Sequence, residues 1–386
     1  MSPAGDAPAV GRLAIVTNIA APYRLATWDA IARRTGSSHV LLCAESEADR
    51  IWQTDGLERR AFEAEVLPGR SLFLRRRGAT LHWNPSLWRR LGQLRPSHLI
   101  VTGYDSPTHV AALCWARAHR VPCAMWTGSH RQSHDLDGRI VRGLRRALLA
   151  LPQAFLAYGS AAAETLEQQG IDTARISVGA NCIDVDDFAA RVDRHAGERG
   201  GDERTRFLYV GQLIPRKGVR PLIEAFAALP PERAELSIVG YGDQEAELRA
   251  RVEELGLGHV RFEGATRTVE ETARFYARAD VLVMPSTSEV WGLVLNEGLA
   301  AGLFCVASAG AGATRDLVER APLRCGIAYD AADPHALRDA LGRALDLRNE
   351  VDRDAIADWG RSITPERYAD AALRALELAA ARRESR

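Results

Sequence analysis

The sequence is poor in lysine, although it is not poor in positive charge. It contains 50 Lys and Arg residues against 50 Asp and Glu residues, and Lys217 is the only lysine among them. The formal net charge is therefore zero, which gives no general attraction to nucleic acid, and we expect no nucleic-acid partner. We also expect the single lysine to occupy a position where arginine would not serve, because a compact ammonium group and a planar guanidinium are not interchangeable.

Two further absences indicate where the protein works. The 6 cysteines include no Cys-x-x-Cys pair and most of them lie in apolar runs, so we expect buried thiols in a reducing compartment. No apolar run approaches the roughly 18 residues of a membrane-spanning helix. The first residues also lack the basic start and apolar core of a signal peptide. These absences predict a soluble, cytoplasmic protein without a signal peptide.

Short apolar runs alternate with helical patterns along the whole chain. Strands are expected near residues 13–17, 39–44, 64–67, 98–102, 121–126, 154–158 and 175–179, and a second set starts at Phe207. Repeated strand–helix units form parallel sheets with helices on both faces, and 386 residues are enough for two such domains. Ligands bind beyond the carboxyl ends of such strands. In the first domain this rule directs attention to residues 18–24, 103–108 and 127–134.

One stretch of the second half, residues 285–302, combines a strand end, a loop and an apolar helix. Glu289 lies in the loop, whereas Glu297 lies inside the helix, where a carboxylate is costly to bury unless something donates a hydrogen bond to it. The backbone N–H groups of Trp291, Gly292 and Leu293 open the helix and form a seat for an anion. Glu297 lies about 7 Å further along the axis. This spacing predicts a nucleotide-sugar site.

Lys217 lies in a loop of the same kind. The loop follows a predicted strand that starts at Arg206 and precedes a predicted helix over residues 219–229. A lysine at the end of such a loop is a usual phosphate partner. Each of the three residues also has an explanation that involves no function. Lys217 could be the one lysine that remains by chance, Glu289 could be an ordinary loop charge, and the Glu297 side chain could extend from the helix to solvent.

The two stretches together resemble the donor site of the retaining glycosyltransferases of family four, which have the GT-B fold. The resemblance rests on Gly-Gln-Leu-Ile-Pro-Arg-Lys-Gly at residues 211–218 and on Glu-x7-Glu from Glu289 to Glu297, and it is strong from about residue 181 to 330. It implies an α/β protein whose two Rossmann-like domains face each other across a cleft. The implied division is an acceptor-side domain over 1–188, a linker over 189–204, a donor domain over 205–364 and a terminal helix over 365–386 that crosses back to the first domain.

The resemblance also implies roles for individual residues. A basic pair, Arg216 and Lys217, holds the donor diphosphate. The first acid of the motif, Glu289, lies near the donor hexose, and the second, Glu297, binds the ribose hydroxyls. The remaining residues of the nucleotide-sugar site are Gly211, Gln212, Gly292 and Leu293. Many members have Gly-Arg where this chain has Gly-Gln, so either Arg216 supplies the missing charge or the diphosphate is held less firmly.

The first domain has less specific candidates. In the family a histidine after a strand contacts the donor sugar and helps in transfer; His130 is the candidate here, His134 is the second one, and a solvated loop histidine is the alternative. Arg24 either holds an acceptor or pairs at the surface. Asp184 and Asp186 form an Asp-x-Asp pattern, but this segment resembles the family's domain hinge, so we expect no metal.

Residues 138–150 predict a basic amphipathic helix. Such a face can lie on the inner face of an anionic membrane as a peripheral contact. It can equally be the ordinary solvated surface of an arginine-rich protein, which is the favoured interpretation. The acceptor therefore stays open between a lipid-linked molecule and a soluble small molecule or glycan.

The residues and the resemblance together predict a retaining hexosyltransferase. It would move a hexose or N-acetylhexosamine from a nucleoside-diphosphate sugar, with UDP as the expected carrier, to an acceptor hydroxyl. No metal and no other cofactor is expected. The alternatives are a sugar-nucleotide epimerase of GT-B architecture and a non-catalytic partner protein that binds a nucleotide sugar, for which Gln212 is the favourable feature.

Overall fold

The computed structural model describes residues 11–47, 57, 60–74, 79–128, 138–199, 204–347 and 350–384. Two parallel sheets organise these residues. In the first, the strands lie in the order β3-β2-β1-β6-β7-β8-β9, and in the second in the order β12-β11-β10-β13-β14-β15. Strands β4 and β5 form a separate antiparallel hairpin. The two-domain α/β architecture expected from the sequence is thus confirmed.

The strands have the following bounds: β1 Leu13–Thr17, β2 Ser38–Leu42, β3 Glu63–Val66, β4 Arg70–Leu74, β5 Ala79–Trp83, β6 His98–Val101, β7 Cys123–Thr127, β8 Ala154–Ala157, β9 Ile176–Val178, β10 Thr205–Val210, β11 Ala234–Val239, β12 Val260–Gly264, β13 Val281–Met284, β14 Phe304–Ser308 and β15 Gly326–Tyr329. They match the expected apolar runs within a few residues. The β4–β5 hairpin was not predicted.

The helices lie between these strands: α1 Pro22–Thr35, α2 Leu87–Leu94, α3 Pro107–Ala118, α4 Arg139–Leu149, α5 Ser160–Gln168, α6 Val185–Arg194, α7 Val219–Phe226, α8 Glu245–Glu254, α9 Val269–Arg278, α10 Leu293–Ala300, α11 Gly312–Thr314, α12 Ala336–Leu347, α13 Arg353–Arg361 and α14 Pro365–Glu384. Helix α11 continues into a π-helical turn at Arg315–Glu319. No helix in the described part of the chain is both long and apolar enough to cross a membrane.

Strand β1 shows why the strands of these sheets have continuous apolar sequences. Leu13 and Ile15 belong to one buried cluster, whereas Ala14 and Val16 belong to another on the opposite face. A parallel strand covered on both faces needs apolar side chains at every position, so its sequence does not alternate. Five of the six cysteines are likewise buried, and Cys114 is exposed.

The region between the two sheets is more helical than a linker. Helix α6 extends through Arg194 and therefore occupies the first part of the expected linker over 189–204, while residues 200–203 lie outside the described residues. Asp184 caps this helix, because its side chain accepts a hydrogen bond from the Asp187 N–H at 3.3 Å. The Asp-x-Asp pattern thus begins with a helix cap.

The terminal helix α14 packs against the first domain, as expected for a helix that crosses back. The Trp126 indole N–H donates to the Tyr368 hydroxyl, and the Ser177 hydroxyl donates to the Ala371 carbonyl at 2.8 Å. Both donors belong to strands of the first sheet. The chain therefore passes between the domains twice, which ties the last helix to the fold of the first domain.

Each sheet has one point where the strand order reverses. In the first sheet this point lies between β1 and β6, and in the second it lies between β10 and β13. The loops that leave the two strands at such a point run in opposite directions and leave a crevice between them, in which α/β proteins bind ligands. The second crevice lies between the Lys217 loop and the Glu289 loop.

Candidate active site

The loops that follow β10 and β13 are fixed to each other by their backbones. Thr287 donates two hydrogen bonds to the Arg216 carbonyl, from its N–H at 2.9 Å and from its hydroxyl at 3.2 Å. Gly218 has φ +69°, and a Cβ at this position would lie 2.1 Å from the Pro285 carbonyl oxygen. Only glycine permits this approach. The site thus rests on two adjoining loops at one crevice.

Three charged side chains meet where these loops touch. The Lys217 ammonium donates to the Glu289 carboxylate, and Arg216 Nη1 lies 3.2 Å from the same Oε2 atom. The Glu289 and Lys217 side chains are only 16% and 20% exposed, whereas Arg216 is 49% exposed. Burial alone would raise the pKa of Glu289, but Lys217 and then Arg216 outweigh burial and lower it. Glu289 is therefore ionised at neutral pH.

This triad was only partly anticipated. The sequence predicted that Lys217 and Arg216 act together and that Glu289 lies in the same site. It did not predict that the acid would accept hydrogen bonds from both cations. The Glu289 backbone is also fixed, because its N–H donates to the Gly310 carbonyl at 3.2 Å and its carbonyl accepts from Gly312 at 3.1 Å.

Gly292 lets helix α10 begin directly after the loop. It has φ +101°, and a Cβ there would lie 2.6 Å from the Met284 sulfur. Leu293 is the first residue of the helix, so its N–H belongs to the unpaired donors of the first turn. Gly292 and Leu293, which the sequence assigned to the anion seat, thus lie at the start of a helix, next to the Glu289 loop.

Glu297 lies on the second turn of α10 and has a partner that the sequence did not reveal. The Tyr276 hydroxyl, from α9, donates a hydrogen bond to its carboxylate. Burial raises the pKa of Glu297 to about 7, and the hydrogen bond from Tyr276 only partly offsets this effect. The signal that could have pointed to Tyr276 was the buried acid itself, since it required a donor from another element.

The Gly211–Gln212 segment, which follows β10, packs closely against the Gly240 turn, which follows β11. A Cβ at Gly240 would lie 1.8 Å from the Gly211 carbonyl oxygen, so the two glycine turns touch through their backbones. The Gln212 carbonyl accepts a hydrogen bond from the Tyr209 hydroxyl at 2.8 Å. The segment that departs from the family pattern is therefore held firmly at the end of β10.

The first domain contacts the residues that directly follow Glu289. A Cβ at Gly128 would lie 2.7 Å from Val290, and a Cβ at Gly159 would lie 2.4 Å from the Trp291 ring. The Ser160 N–H donates to the Asp316 carboxylate at 2.7 Å across the same boundary. The carboxyl edge of the first sheet therefore faces the Glu289 loop.

A hydrogen-bonded chain also connects this loop to the hinge. The Trp291 indole N–H donates to the Asn296 side chain at 2.9 Å, and the Asn296 amide donates to the Asn181 carbonyl at 3.0 Å. Asn296 is 1% exposed. The helix that carries Glu297 is thus bonded both to the loop that carries Glu289 and to the segment between the domains.

Two of the predicted site residues have no structural account. His130 and His134 lie outside the described residues, so their predicted roles stay predictions. Within the ranges that the structure describes, no group of three or more His, Cys, Asp or Glu side chains is arranged to hold a metal ion.

Comparison with known proteins finds similarity over the second half of the chain. Residues 193–358 match the family model described as Glycosyl transferases group 1. The chain is 29% identical over 259 residues to the D-inositol 3-phosphate glycosyltransferase of Paenarthrobacter aurescens, covering 62% of this chain and 61% of that protein. It is 33% identical over 165 residues to the MMP alpha-(1->4)-mannosyltransferase of Mycolicibacterium hassiacum, covering 42% and 39% of the two chains. The chain thus spans less than two thirds of these relatives.

Solved structures show the fold over nearly the whole chain. HepE of Anabaena in complex with UDP superposes with a TM-score of 0.69 at 17% identity, covering 96% of this chain and 99% of that chain. HepE has also been solved with UDP-glucose. The chain therefore has the GT-B fold with two Rossmann-like domains, as predicted. The range that matches the group 1 family model, residues 193–358, contains both the Lys217 and the Glu289 loop.

Proposed function

We propose that the protein is a retaining glycosyltransferase of family-four type that moves a hexose or N-acetylhexosamine from a nucleoside-diphosphate sugar to an acceptor hydroxyl. One observation carries the proposal: a basic pair, an ionised carboxylate and an open helix start meet at the crevice of a group 1 domain. A buried second carboxyl group, Glu297, lies on the same helix. This set matches the parts of a nucleotide sugar in order.

The donor would lie along α10. Its diphosphate would accept hydrogen bonds from the Lys217 ammonium, the Arg216 guanidinium and the backbone N–H groups of Gly292 and Leu293. Both the cations and the start of the helix favour binding of an anion. The ribose hydroxyls donate to Glu297. UDP is the proposed carrier, and the HepE complexes with UDP and UDP-glucose support it.

Transfer would proceed by stabilising the leaving group. As the bond from the anomeric carbon to the diphosphate oxygen breaks, its electron pair stays on the diphosphate. Lys217 and Arg216 then stabilise the developing charge without a metal, and loss of one such donor costs roughly 10²–10³ in rate. The acceptor oxygen bonds to the anomeric carbon on the face that the diphosphate leaves, and its proton passes to a diphosphate oxygen.

Glu289 would position this machinery close to the donor hexose. Its lowered pKa keeps it ionised, so it does not serve as a general acid at neutral pH. It instead orients Lys217 and Arg216, which both contact the same carboxylate oxygen. Contacts between the domains would bring the acceptor to this point, and His130 stays a candidate on that side.

The experiment that tests this function measures which sugar product forms and with which anomeric configuration. The protein is incubated with UDP-glucose, UDP-galactose or UDP-N-acetylglucosamine and a panel of acceptors, and the anomeric configuration of the product is read by proton NMR. Retention predicts an α-linked product from these α-linked donors. A β-linked product would refute the retaining mechanism.

The same incubation without acceptor separates the first alternative function. An epimerase would convert the nucleotide sugar into its epimer, whereas a transferase leaves the sugar configuration unchanged. A non-catalytic partner protein would bind the donor and form neither product. The ion triad of Lys217, Arg216 and Glu289 favours a transferase over the non-catalytic protein, because that protein would need no leaving-group stabilisation.

A peripheral membrane contact is the remaining proposal, and it rests on helix α4. Arg142 and Arg146 are exposed on this helix, and Leu144 is 61% exposed beside them. Co-sedimentation with vesicles of phosphatidylglycerol and phosphatidylcholine, for wild type and for Leu144→Glu, decides between a membrane surface and a solvated one. Binding that the substitution abolishes supports peripheral contact at the inner membrane face; no binding leaves a cytoplasmic protein with a basic surface.

A further inference from the structure

Three side chains of the first domain form a hydrogen-bonded series that the proposed transfer reaction does not use. The Ser71 hydroxyl on β4 lies 2.9 Å from His82 Nδ1 on β5, and His82 Nε2 lies 3.0 Å from the Glu47 carboxylate, which follows β2. The His82 and Glu47 side chains are 0% and 4% exposed, whereas Ser71 is exposed. A hydroxyl, an imidazole and a carboxylate in this order form the arrangement that activates a serine nucleophile on several unrelated folds.

The carboxylate determines which ring nitrogen of His82 is free to act as a base. An ionised carboxylate can only accept hydrogen bonds, so Nε2 carries the ring proton and donates to Glu47. Nδ1 of the neutral imidazole is then an acceptor, and the Ser71 hydroxyl donates to it. The nitrogen that contacts Ser71 is therefore the one that can remove the hydroxyl proton.

The backbone of the hairpin explains why Ser71 and His82 lie so close together. The His82 N–H donates to the Ser106 hydroxyl at 3.1 Å, and the His82 carbonyl accepts from the Thr108 hydroxyl at 2.9 Å. Both backbone groups of His82 thus point away from β4, although Ser71 is its direct partner in the antiparallel ladder. The two residues therefore form a non-hydrogen-bonded pair, the kind that brings opposite side chains closest.

The same pairing leaves the Ser71 N–H available as a donor. In a non-hydrogen-bonded pair, both residues direct their N–H and carbonyl groups away from the partner strand. Within the described ranges β4 pairs with β5 and with no second strand. The Ser71 N–H therefore points outward from the residue that also carries the attacking hydroxyl. There it can donate to an oxyanion that forms on the attacked carbonyl.

We propose that Ser71 is the nucleophile of an ester-hydrolysing site in which His82 is the general base and Glu47 is a positioning residue. The substrate class is a small acyl ester, because a substrate can approach only from the side of the exposed Ser71 hydroxyl, while the imidazole behind it is fully buried. This activity is additional to glycosyl transfer and does not depend on it.

The reaction has two half-reactions. In the first, Ser71 Oγ bonds to the ester carbonyl carbon and its proton passes to His82 Nδ1. The bond from this carbon to the alcohol oxygen then breaks, and the leaving alcohol takes the proton from Nδ1. In the second, water adds to the acyl group and gives a proton to Nδ1, and the bond to Ser71 Oγ breaks as Oγ takes that proton. Ester and water thus become acid and alcohol.

The burial of His82 determines which half-reaction is slower. With the His82 side chain 0% exposed, water reaches Nδ1 only past the acylated Ser71. Attack by water should therefore be slower than acylation, so the acyl-enzyme accumulates. An accumulating acyl-enzyme gives a burst of alcohol release before the steady state.

Stopped-flow mixing of the full chain with p-nitrophenyl acetate tests this proposal. We expect a burst of p-nitrophenolate that approaches one equivalent of protein, and peptide mapping by mass spectrometry should find the acetyl group on Ser71. Acetylation of amines gives little background, because Lys217 is the only lysine in the chain. The absence of a burst, or an acetyl group that is not on Ser71, would overturn the proposal.

Ser71→Ala should abolish the burst, and Ser97→Ala is its matched control. Ser97 is also an exposed serine beside a histidine, with its hydroxyl 3.1 Å from His98 Nδ1, but that hydroxyl donates to the Arg12 carbonyl. Its loss should leave the burst unchanged. Unfolding midpoints of both variants show that they are folded, and a burst that survives in Ser71→Ala would rule out this nucleophile.

Two substitutions of Glu47 separate positioning from a structural role. Glu47→Gln removes the carboxylate that fixes the tautomer, so acylation should slow by about 10²–10⁴-fold, the usual contribution of a positioned general base. Glu47→Asp keeps the carboxylate and should restore part of the rate. If both variants lower the unfolding midpoint and acylate Ser71 at the wild-type rate, Glu47 only supports the hairpin and the proposed activation of Ser71 is wrong.

Discussion

At the scale of single residues, the ammonium group of Lys217 is the most important part of the proposed donor site. It is enclosed with Glu289, where a planar guanidinium has a different shape and a different set of donors. We predict that Lys217→Arg, although it keeps the charge, lowers turnover by about 10²–10³-fold, the effect of one lost oxyanion donor. Steady-state rates with a UDP sugar measure it.

The control for that variant lies on the neighbouring helix. Arg220 is an exposed residue of α7 that pairs with Glu224 and Glu247, so Arg220→Lys exchanges the same two side chains in the opposite direction at a solvated site. Surface pairs of this kind contribute little, and turnover should stay near that of wild type. Near-normal turnover in Lys217→Arg as well would remove the special role of the lone lysine.

Glu297 should make donor binding depend on pH. Its pKa is raised to about 7, mainly by burial, so below that pH the folded protein holds a neutral acid, and above it a carboxylate that can accept the proposed hydrogen bonds from the ribose hydroxyls. Affinity for UDP-glucose should therefore increase as the pH rises, by up to about tenfold per unit below pH 7, and then level off. Calorimetric titrations across this range measure the effect.

Glu297→Gln is the informative comparison, because it keeps the hydrogen-bonding shape and removes the titration. Its affinity should be low and nearly independent of pH. A flat pH profile in the wild-type protein would show that the carboxyl group does not bind the ribose in its ionised form.

Residue types and spacing predicted which residues lie together in the proposed donor site, but not how they pair. Lys217 and Glu289 are 72 positions apart, and their contact depends on the adjacency of β10 and β13. The donor to Glu297 could not be read from sequence either, because Tyr276 belongs to a helix with ordinary amphipathic character. Such pairings follow from tertiary packing and not from local pattern.

At the scale of elements, the site depends on how closely two loops approach. Gly218 has φ +69° and no room for a Cβ against Pro285, while Gly256 has φ +65° and open space around it. Alanine at either position should lose about 1–2 kcal/mol through the left-handed backbone. Only Gly218→Ala should also displace the Lys217 loop and weaken UDP binding, by about tenfold to a hundredfold.

Urea unfolding and UDP titration of both variants measure these two effects separately. Equal UDP affinity in Gly218→Ala and Gly256→Ala would mean that the contact of the two loops does not position the donor site.

The strands could be predicted from the sequence where burial on both faces requires apolar side chains. Strands such as β13 are covered on both faces and therefore appear as continuous apolar runs. The β4–β5 hairpin was missed because its strands are short and partly exposed, with Leu72 at 61% exposure, so no apolar run marks them. The helical start of the expected linker was missed for a related reason: α6 is largely polar on its outer face.

At the scale of the whole molecule, the Asp316 contact joins the domains beside the Glu289 loop. Asp316→Ala removes the acceptor for the Ser160 N–H and should lower the equilibrium constant between the joined and the separated arrangement by about tenfold, the effect of one charge-assisted hydrogen bond. Turnover should fall by up to that factor, while UDP affinity changes by no more than about twofold, as expected for a residue outside the proposed donor site.

Asp346→Ala controls for loss of a carboxylate within the second domain, since Asp346 contacts only Arg233 among the described residues and is well exposed. It should leave both turnover and UDP affinity unchanged. A loss of UDP affinity in Asp316→Ala equal to its loss of turnover would place Asp316 in donor binding and not in domain contact.

The two-domain architecture was accessible from the sequence because repeated strand–helix units and chain length define it. The contacts across the domains were not. The Trp126–Tyr368 hydrogen bond joins residues 242 positions apart, and no local pattern marks either of them. The first-domain crevice was located only as three strand ends; its unpaired buried groups at Arg24 and His109 appear only in the folded structure.

The most direct test of the central claim is a thermal-shift and calorimetric titration of the wild-type protein with UDP, GDP, ADP and TDP and their sugars. A ligand that binds the folded state raises the unfolding midpoint. If the nucleotide sugar binds at this crevice, UDP and UDP sugars should stabilise the protein, and Lys217→Met and Glu297→Gln should lose that stabilisation. No shift with any nucleotide, or a shift that both variants retain in full, would contradict a nucleotide-sugar site at this crevice.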